Sequence, residues 1–223
     1  MFIRRCVICN KLIEGNNEYI CKTCQSFIEK DFYNNYLYRC PNCYHLLLTS
    51  KLDCKYCKKN AFKIYSLADY KSSSKFILLG LKFYKRKDLA PLIGKLYYRE
   101  LCLLIEPTKA AIIPIPCSKE GKKLRGYDQM DLICNNINLP TYKVLFRNDN
   151  FQQKNLNDQE RMLNYENKFD LDVEKIKQIK EPFLFLIDDI YTTGFSMKAA
   201  FEIIKKNCNK EICGFTWFSR PDL

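Results

Sequence analysis

Beyond residue 60, apolar positions recur in short runs separated by helix-like stretches. Tyr65 to Tyr70 reads as a strand, and Phe76, Ile77, Leu79, Gly80 and Leu81 form an apolar stripe that suits a short helix. A longer helix is predicted from about Asp88 to Leu104. There Leu89, Leu92, Ile93, Leu96, Tyr97 and Leu101 share one face, and Asp88 suits the positive N-terminal end. From residue 110 the runs AAIIPIP, TYKVLF, FLFLID and ICGFTWF alternate with GYDQMDLICNNI and SMKAAFEIIKK. Strands alternating with helices imply βαβ units, and so an α/β fold whose mostly parallel sheet is flanked by helices. The polar stretch between Arg147 and Asn167 has no clear period. A connection that long is either a functional lid or disorder.

Cysteine placement changes the picture at the N-terminal end. Of 13 cysteines, eight fall into the C-x-x-C pairs Cys6/Cys9, Cys21/Cys24, Cys40/Cys43 and Cys54/Cys57, and the rest are scattered singly. No apolar run reaches membrane-spanning length, and MFIRRCVICN lacks the apolar core of a secretory signal, so a cytoplasmic location is expected. In that compartment cysteines stay reduced, and paired motifs are more naturally metal ligands than disulfides. C-x-x-C brings two thiolates onto one ion through a tight turn, and zinc takes four ligands in a tetrahedron. Four pairs therefore fit two structural Zn(2+) sites. The simplest partition is sequential, with interleaving the alternative, and an iron–sulfur cluster or redox dithiol is the competing chemistry. His45 reads as a surface or packing residue, because the cysteines already complete both sites. The compositional break places a zinc-ribbon module at 1–60 and a second domain at 61–223.

Residues 184 to 196 read Leu-Phe-Leu-Ile-Asp-Asp-Ile-Tyr-Thr-Thr-Gly-Phe-Ser. The apolar run predicts a buried parallel strand that delivers Asp188 and Asp189 to its carboxyl end, where open α/β sheets bind ligands. The following turn, with Thr192, Thr193, Gly194 and Ser196, leads into a helix whose free N–H groups suit a phosphomonoester. Carboxylates beside that cradle repel phosphate and instead accept hydrogen bonds from sugar hydroxyls or hold Mg(2+). A ribose carrying a 5′-phosphate meets both demands. A capped helix after a buried strand is the plainer alternative.

That stretch resembles the signature of type I phosphoribosyltransferases, which bind 5-phosphoribosyl pyrophosphate (PRPP). The resemblance implies that Asp188 and Asp189 meet the ribose hydroxyls while Thr192, Thr193, Gly194 and Ser196 wrap the 5′-phosphate. Further segments resemble the ComF family, including its GntX-like members: Pro114-Ile-Pro116 with Lys119 and KKLRGYDQM, Gln153-x-x-Leu156 with Arg161-x-x-Asn164, Leu81-Lys82-Phe83, and Arg220. With the cysteine pairs, the likeness runs from Cys6 to Arg220. It implies a type I phosphoribosyltransferase-like domain behind a double zinc ribbon. It also implies a pyrophosphate loop at Pro116 to Gly121, with Lys119 and Arg125 at the cofactor, and a lid at 147–165 offering Lys154 and Arg161 to catalysis beside Asp188 and Asp189. Departures from the family pattern are Asp128 for Asn, Asn150 where Thr is common, and Asn10 and Tyr44 where a glycine often follows a knuckle. Cys117, inside the loop, reads as a packing residue before a redox or nucleophilic one.

The formal charge of +12 favours anionic partners, unless it reflects only a Lys-rich background. Lys71, Lys75, Lys82, Phe83, Tyr84, Lys85, Arg86 and Lys87 interleave cations with rings, a pattern that suits single-stranded nucleic acid. The alternative is a solvated face with a buried aromatic side. The family resemblance implies DNA uptake in natural transformation, with single-stranded DNA and a helicase-like competence ATPase as partners. A phosphoribosyl transfer to a nitrogen acceptor is the second reading, although residues 60 to 108 carry no acceptor motif.

Overall fold

The computed structural model describes residues 4–13, 19–36, 40, 63–70, 74–148 and 168–219. Short strands β1 (Arg4–Arg5) and β2 (Leu12–Ile13) pair antiparallel, and helix α1 (Lys22–Tyr36) follows. Strand β3 (Lys63–Asp69), helix α2 (Lys75–Phe83), a 3-10 turn at Lys87–Leu89 and helix α3 (Ala90–Leu104) come next. After them run β4 (Ala110–Pro114), α4 (Lys119–Arg125), α5 (Gln129–Cys134), β5 (Leu145–Arg147), β6 (Phe169–Leu171), α6 (Val173–Gln178), β7 (Phe183–Tyr191), α7 (Phe195–Asn207) and β8 (Glu211–Ser219).

Strands β3, β8, β7 and β4 form one parallel sheet in that order. Its strands are buried on both faces, as the continuous apolar runs require. Alternate residues serve opposite cores: Phe185 and Ile187 of β7 join Phe215 and Trp217 on one face, while Leu184 and Leu186 join Ile113 and Ile212 on the other. The fold is therefore α/β with helices flanking a parallel sheet. The predicted elements are largely present, with two differences: Lys87–Leu89 winds as a separate 3-10 turn before α3, and of the TYKVLF run only Leu145 and Phe146 enter a strand, which pairs antiparallel with β6 outside the parallel sheet.

Two features locate a site. First, α5, after β4, packs its Met130 and Ile133 on the first core, whereas α7, after the adjacent β7, packs Met197 and Ala200 on the second. The chain thus leaves neighbouring parallel strands toward opposite faces and opens a crevice at their carboxyl ends. Second, β5 and β6 pair antiparallel, Arg147 opposite Phe169, beside that edge.

The cysteine-bearing segment shares the first core. Cys6, Ile20, Ile28 and Phe32 are buried with it, and Phe32 meets Trp217 edge-on at 6.0 Å. Asp31 Oδ2 accepts the Ser74 N–H at 2.7 Å, and Arg99 of α3 bridges to Glu29 at 2.7 Å. Among the described residues, no helix is long and apolar enough to cross a membrane.

Candidate functional site

Asp188 and Asp189 lie in the carboxyl-terminal part of β7, as expected, but their carboxylates go different ways. Successive strand side chains point to opposite faces, so adjacent acids diverge unless the strand ends. Asp188 lines a pocket of about 290 Å³ with Lys168, Thr192, Thr193, Gly194 and Ser196. Its Oδ1 accepts the Asp189 N–H at 2.8 Å, and its carbonyl accepts the Tyr97 hydroxyl at 3.1 Å. Burial, then the neighbouring Asp189 charge, pushes the Asp188 carboxyl up to about 7, against the opposing pull of the Asp189 N–H, Lys82 and Lys168.

Asp189 is buried and committed to protein. Lys82 Nζ of α2 lies 2.6 Å from its Oδ2, and Gln129 Nε2 of α5 donates to the same oxygen. The segment Leu81-Lys82-Phe83 and the glutamine of KKLRGYDQM thus converge on one carboxylate. Neither partner was singled out as a site residue in the sequence. Gln129 was visible only within its motif, and Lys82 was read both in a motif and in the basic stripe, from which its pairing with Asp189 withdraws it.

The turn after β7 is built around Gly194, whose φ of 78° is left-handed and which stands at the N-terminus of α7 with no side-chain cap. A Cβ there would lie 2.8 Å from Cζ of the Tyr191 ring, so glycine is required by space as well as by φ. The uncapped end leaves main-chain N–H groups for an anion. Lys168, at the start of β6, enters the same pocket and donates to Ser196 Oγ at 2.6 Å. It too was missed, since it borders a polar stretch without a pattern. Burial, then the nearby Arg147 charge, lowers its ammonium to about 8, while Asp188 acts in the other direction.

A second cavity of about 350 Å³ opens at the end of β4, lined by Cys117, by Lys119, Lys122, Lys143 and Arg147, and by the acids Asp128 and Asp131, with Lys143 paired to Asp131 at 2.9 Å. The expected loop Pro116 to Gly121 enters α4, which Ser118 caps by accepting the Gly121 N–H at 3.1 Å. Asp128, the departure from the family's Asn, accepts Met130 N–H at 2.9 Å and Asp131 N–H at 3.3 Å on Oδ1 and Cys117 N–H at 3.0 Å on Oδ2. A carboxylate offers both oxygens as acceptors and so ties the loop to α5. Arg125 is half-buried beside Gly121, and its Nε has no partner among the described residues. Burial, then Asp128, raises the Cys117 thiol to about 11, the opposite of an activated nucleophile. Lys154, Arg161, Asn150 and Arg220 lie outside the described residues.

At the other end, the sulfurs of Cys6, Cys9, Cys21 and Cys24 all lie within 4.8 Å of one another. This is the sequential set, drawn from two knuckles, and its donor chemistry fits a four-thiolate zinc ion. Asn10 takes the left-handed φ of 61° after the first knuckle, a conformation asparagine tolerates in place of glycine. Burial alone would raise the Cys6 thiol, but N–H groups of Cys9, Cys21 and Ile8 outweigh it and bring the thiol down to about 6. Cys40 is buried, while Cys43, Cys54, Cys57 and His45 lie outside the described residues.

The basic stripe divides in two. Phe83 is 63% and Tyr84 76% exposed, so the aromatic side is open, and Lys85 holds a left-handed φ of 53° beside them. Arg86 instead binds Asp88 and donates to the Val7 carbonyl, and the Lys87 ammonium sits 4.8 Å from the Tyr127 ring centroid. Lys71 lies outside the described residues.

Taken together, these features define an α/β protein with a central parallel sheet, an anion-suited crevice at its carboxyl edge and a four-cysteine cluster near its N-terminus. No protein-family model matches the chain. It is 33% identical over 106 residues to the competence protein ComFC of Bacillus subtilis strain 168, a match covering 47% of this chain and 42% of that relative. The match therefore spans less than half the length of that relative.

Proposed function

We propose that this is a competence-related, PRPP-binding protein with a structural zinc site, acting in DNA uptake through contact with single-stranded DNA. The observation that carries the ligand reading is the common pocket of Asp188, Thr192, Thr193, Gly194, Ser196 and Lys168. A sugar-diol acceptor and an uncapped helix end stand there side by side. In this reading the phosphate lies on the turn from Thr192 to Ser196, the ribose hydroxyls face Asp188, and the cations of the second cavity receive pyrophosphate. Asp188 is the acid available to hold Mg(2+), which when bound would offset the negative charge of the ligand. Asp189 holds Lys82 and Gln129 in place beside it. The domain division at residue 60, the type I phosphoribosyltransferase likeness and the roles of Lys154, Arg161 and Arg125 belong to the same proposal.

Support for DNA contact comes from the similarity to a competence protein and from Phe83 and Tyr84, exposed next to Lys85. Rings of this kind stack on unpaired bases and cations meet phosphates. A cytoplasmic location and a helicase-like ATPase partner follow from the same role.

Calorimetric titration with PRPP and magnesium tests the ligand, and titration with a fluorescent oligodeoxythymidylate tests the DNA. PRPP should bind and raise the melting temperature by mass action. Oligonucleotide affinity should fall with salt and with Phe83→Ala/Tyr84→Ala. Absence of both ligands' binding at low salt would remove this reading. Pyrophosphate release from PRPP across nucleobases and amines would add the transferase step.

A further inference from the structure

We infer that Lys168 is the phosphate-binding cation of the crevice, donating to the phosphomonoester of a pentose 5-phosphate rather than to its pyrophosphate. This rests on the phosphate-site reading above and names a residue for it from outside the β7–α7 turn.

A buried ammonium needs polar or charged partners for each of its donors. Lys168 is 8% exposed, and taking such a charge from water costs several kcal/mol unless it is paired. Its partners are a neutral hydroxyl, Ser196 Oγ at 2.6 Å, the Phe169 ring, with its centroid 6.0 Å from the ammonium, and the Asp188 charge across the pocket, which favours the ammonium and is itself the group placed toward the sugar. An ammonium carries three donors, and the serine takes one. The remaining two are available to an ion held in the first turn of α7, because Ser196 lies in that turn and Lys168 lines the pocket around it. Arg147, which faces Lys168 electrostatically, lines the other cavity with Lys119, Lys122 and Lys143. The two cation groups therefore serve separate anionic ends of one ligand.

Lys168 immediately precedes β6. Asn148 donates its N–H to the Lys168 carbonyl at 3.0 Å, closing the β5–β6 pair from which residues 149–167 emerge. A phosphate bound to Lys168 would steady the very strand end that carries that segment.

The test uses Lys168→Met in the full chain, with PRPP plus magnesium, ribose 5-phosphate and inorganic pyrophosphate titrated separately. Loss of one charged hydrogen bond predicts roughly a 10- to 100-fold weaker affinity for PRPP and ribose 5-phosphate and an unchanged one for pyrophosphate. The apo variant should melt no lower than the unsubstituted protein, since methionine replaces a buried charge with an apolar chain of similar length. Unchanged affinity for ribose 5-phosphate, or an equal loss for pyrophosphate, overturns the assignment to Lys168 while leaving the site itself standing. Failure of the unsubstituted protein to bind either phosphorylated sugar overturns the site reading and this inference together. Should the variant not fold, protection of Lys168 against reductive methylation by ribose 5-phosphate, read by peptide mass spectrometry, decides instead: protection supports the assignment and its absence defeats it.

Discussion

Lys82, from helix α2 after β3, and Asp189, from β7, meet at 2.6 Å with side chains only 16% and 7% exposed. Gln129 completes the pairing from α5. The α2 terminus that carries Phe83 and Tyr84 into solvent is thus anchored on the acidic end of β7.

Breaking this pair should be costly, because the surviving charge stays buried. Lys82→Met or Asp189→Asn alone is expected to lower stability by about 3 kcal/mol. The double substitution should recover much of that loss. Urea denaturation of the four proteins checks it, and strictly additive losses would show that the contact contributes nothing.

Asp188 should make stability depend on pH. Its folded value near 7 stands above its ordinary value of 3.8, so the folded state binds a proton that the unfolded state has released between those limits. Stability is therefore expected to fall as pH rises through that window. Asp188→Asn should match the parent near pH 4 and melt higher than it at pH 8. Magnesium and PRPP should narrow the difference, since they favour the charged carboxylate. Parallel melting curves at both pH values would contradict this.

Zinc should be coupled to the main core through α1. Trp217 is the chain's single tryptophan, and it packs on Phe32, whose helix begins within the second cysteine knuckle. Chelation, or Cys9→Ser, is expected to lower the melting temperature and shift tryptophan emission to the red. Metal analysis of the purified protein should return zinc. Emission insensitive to chelator would separate the module from the core.

Gly194→Ala is expected to cost about 1 to 2 kcal/mol from its left-handed backbone alone. The clash with Tyr191 adds to it and reshapes the pocket. Weaker ribose 5-phosphate binding should accompany the loss, and an alanine variant of unchanged affinity would show that the turn does not hold the phosphate.

Local chemistry determined much of this protein. Alternating apolar runs dictated the α/β sheet, C-x-x-C spacing set the knuckles Cys6/Cys9 and Cys21/Cys24, whose union the fold then decided, and the run from Leu184 to Ser196 encoded strand, acids and glycine turn. Each is a short-range pattern, in which covalent spacing and side-chain period place the groups. Only the tertiary structure decided that Asp188 opens to the pocket while Asp189 is claimed by Lys82 and Gln129, and that Lys168 reaches Ser196. Those pairs join distant segments. Their partners are selected by which helix packs on which face of the sheet, and no spacing along the chain encodes that choice.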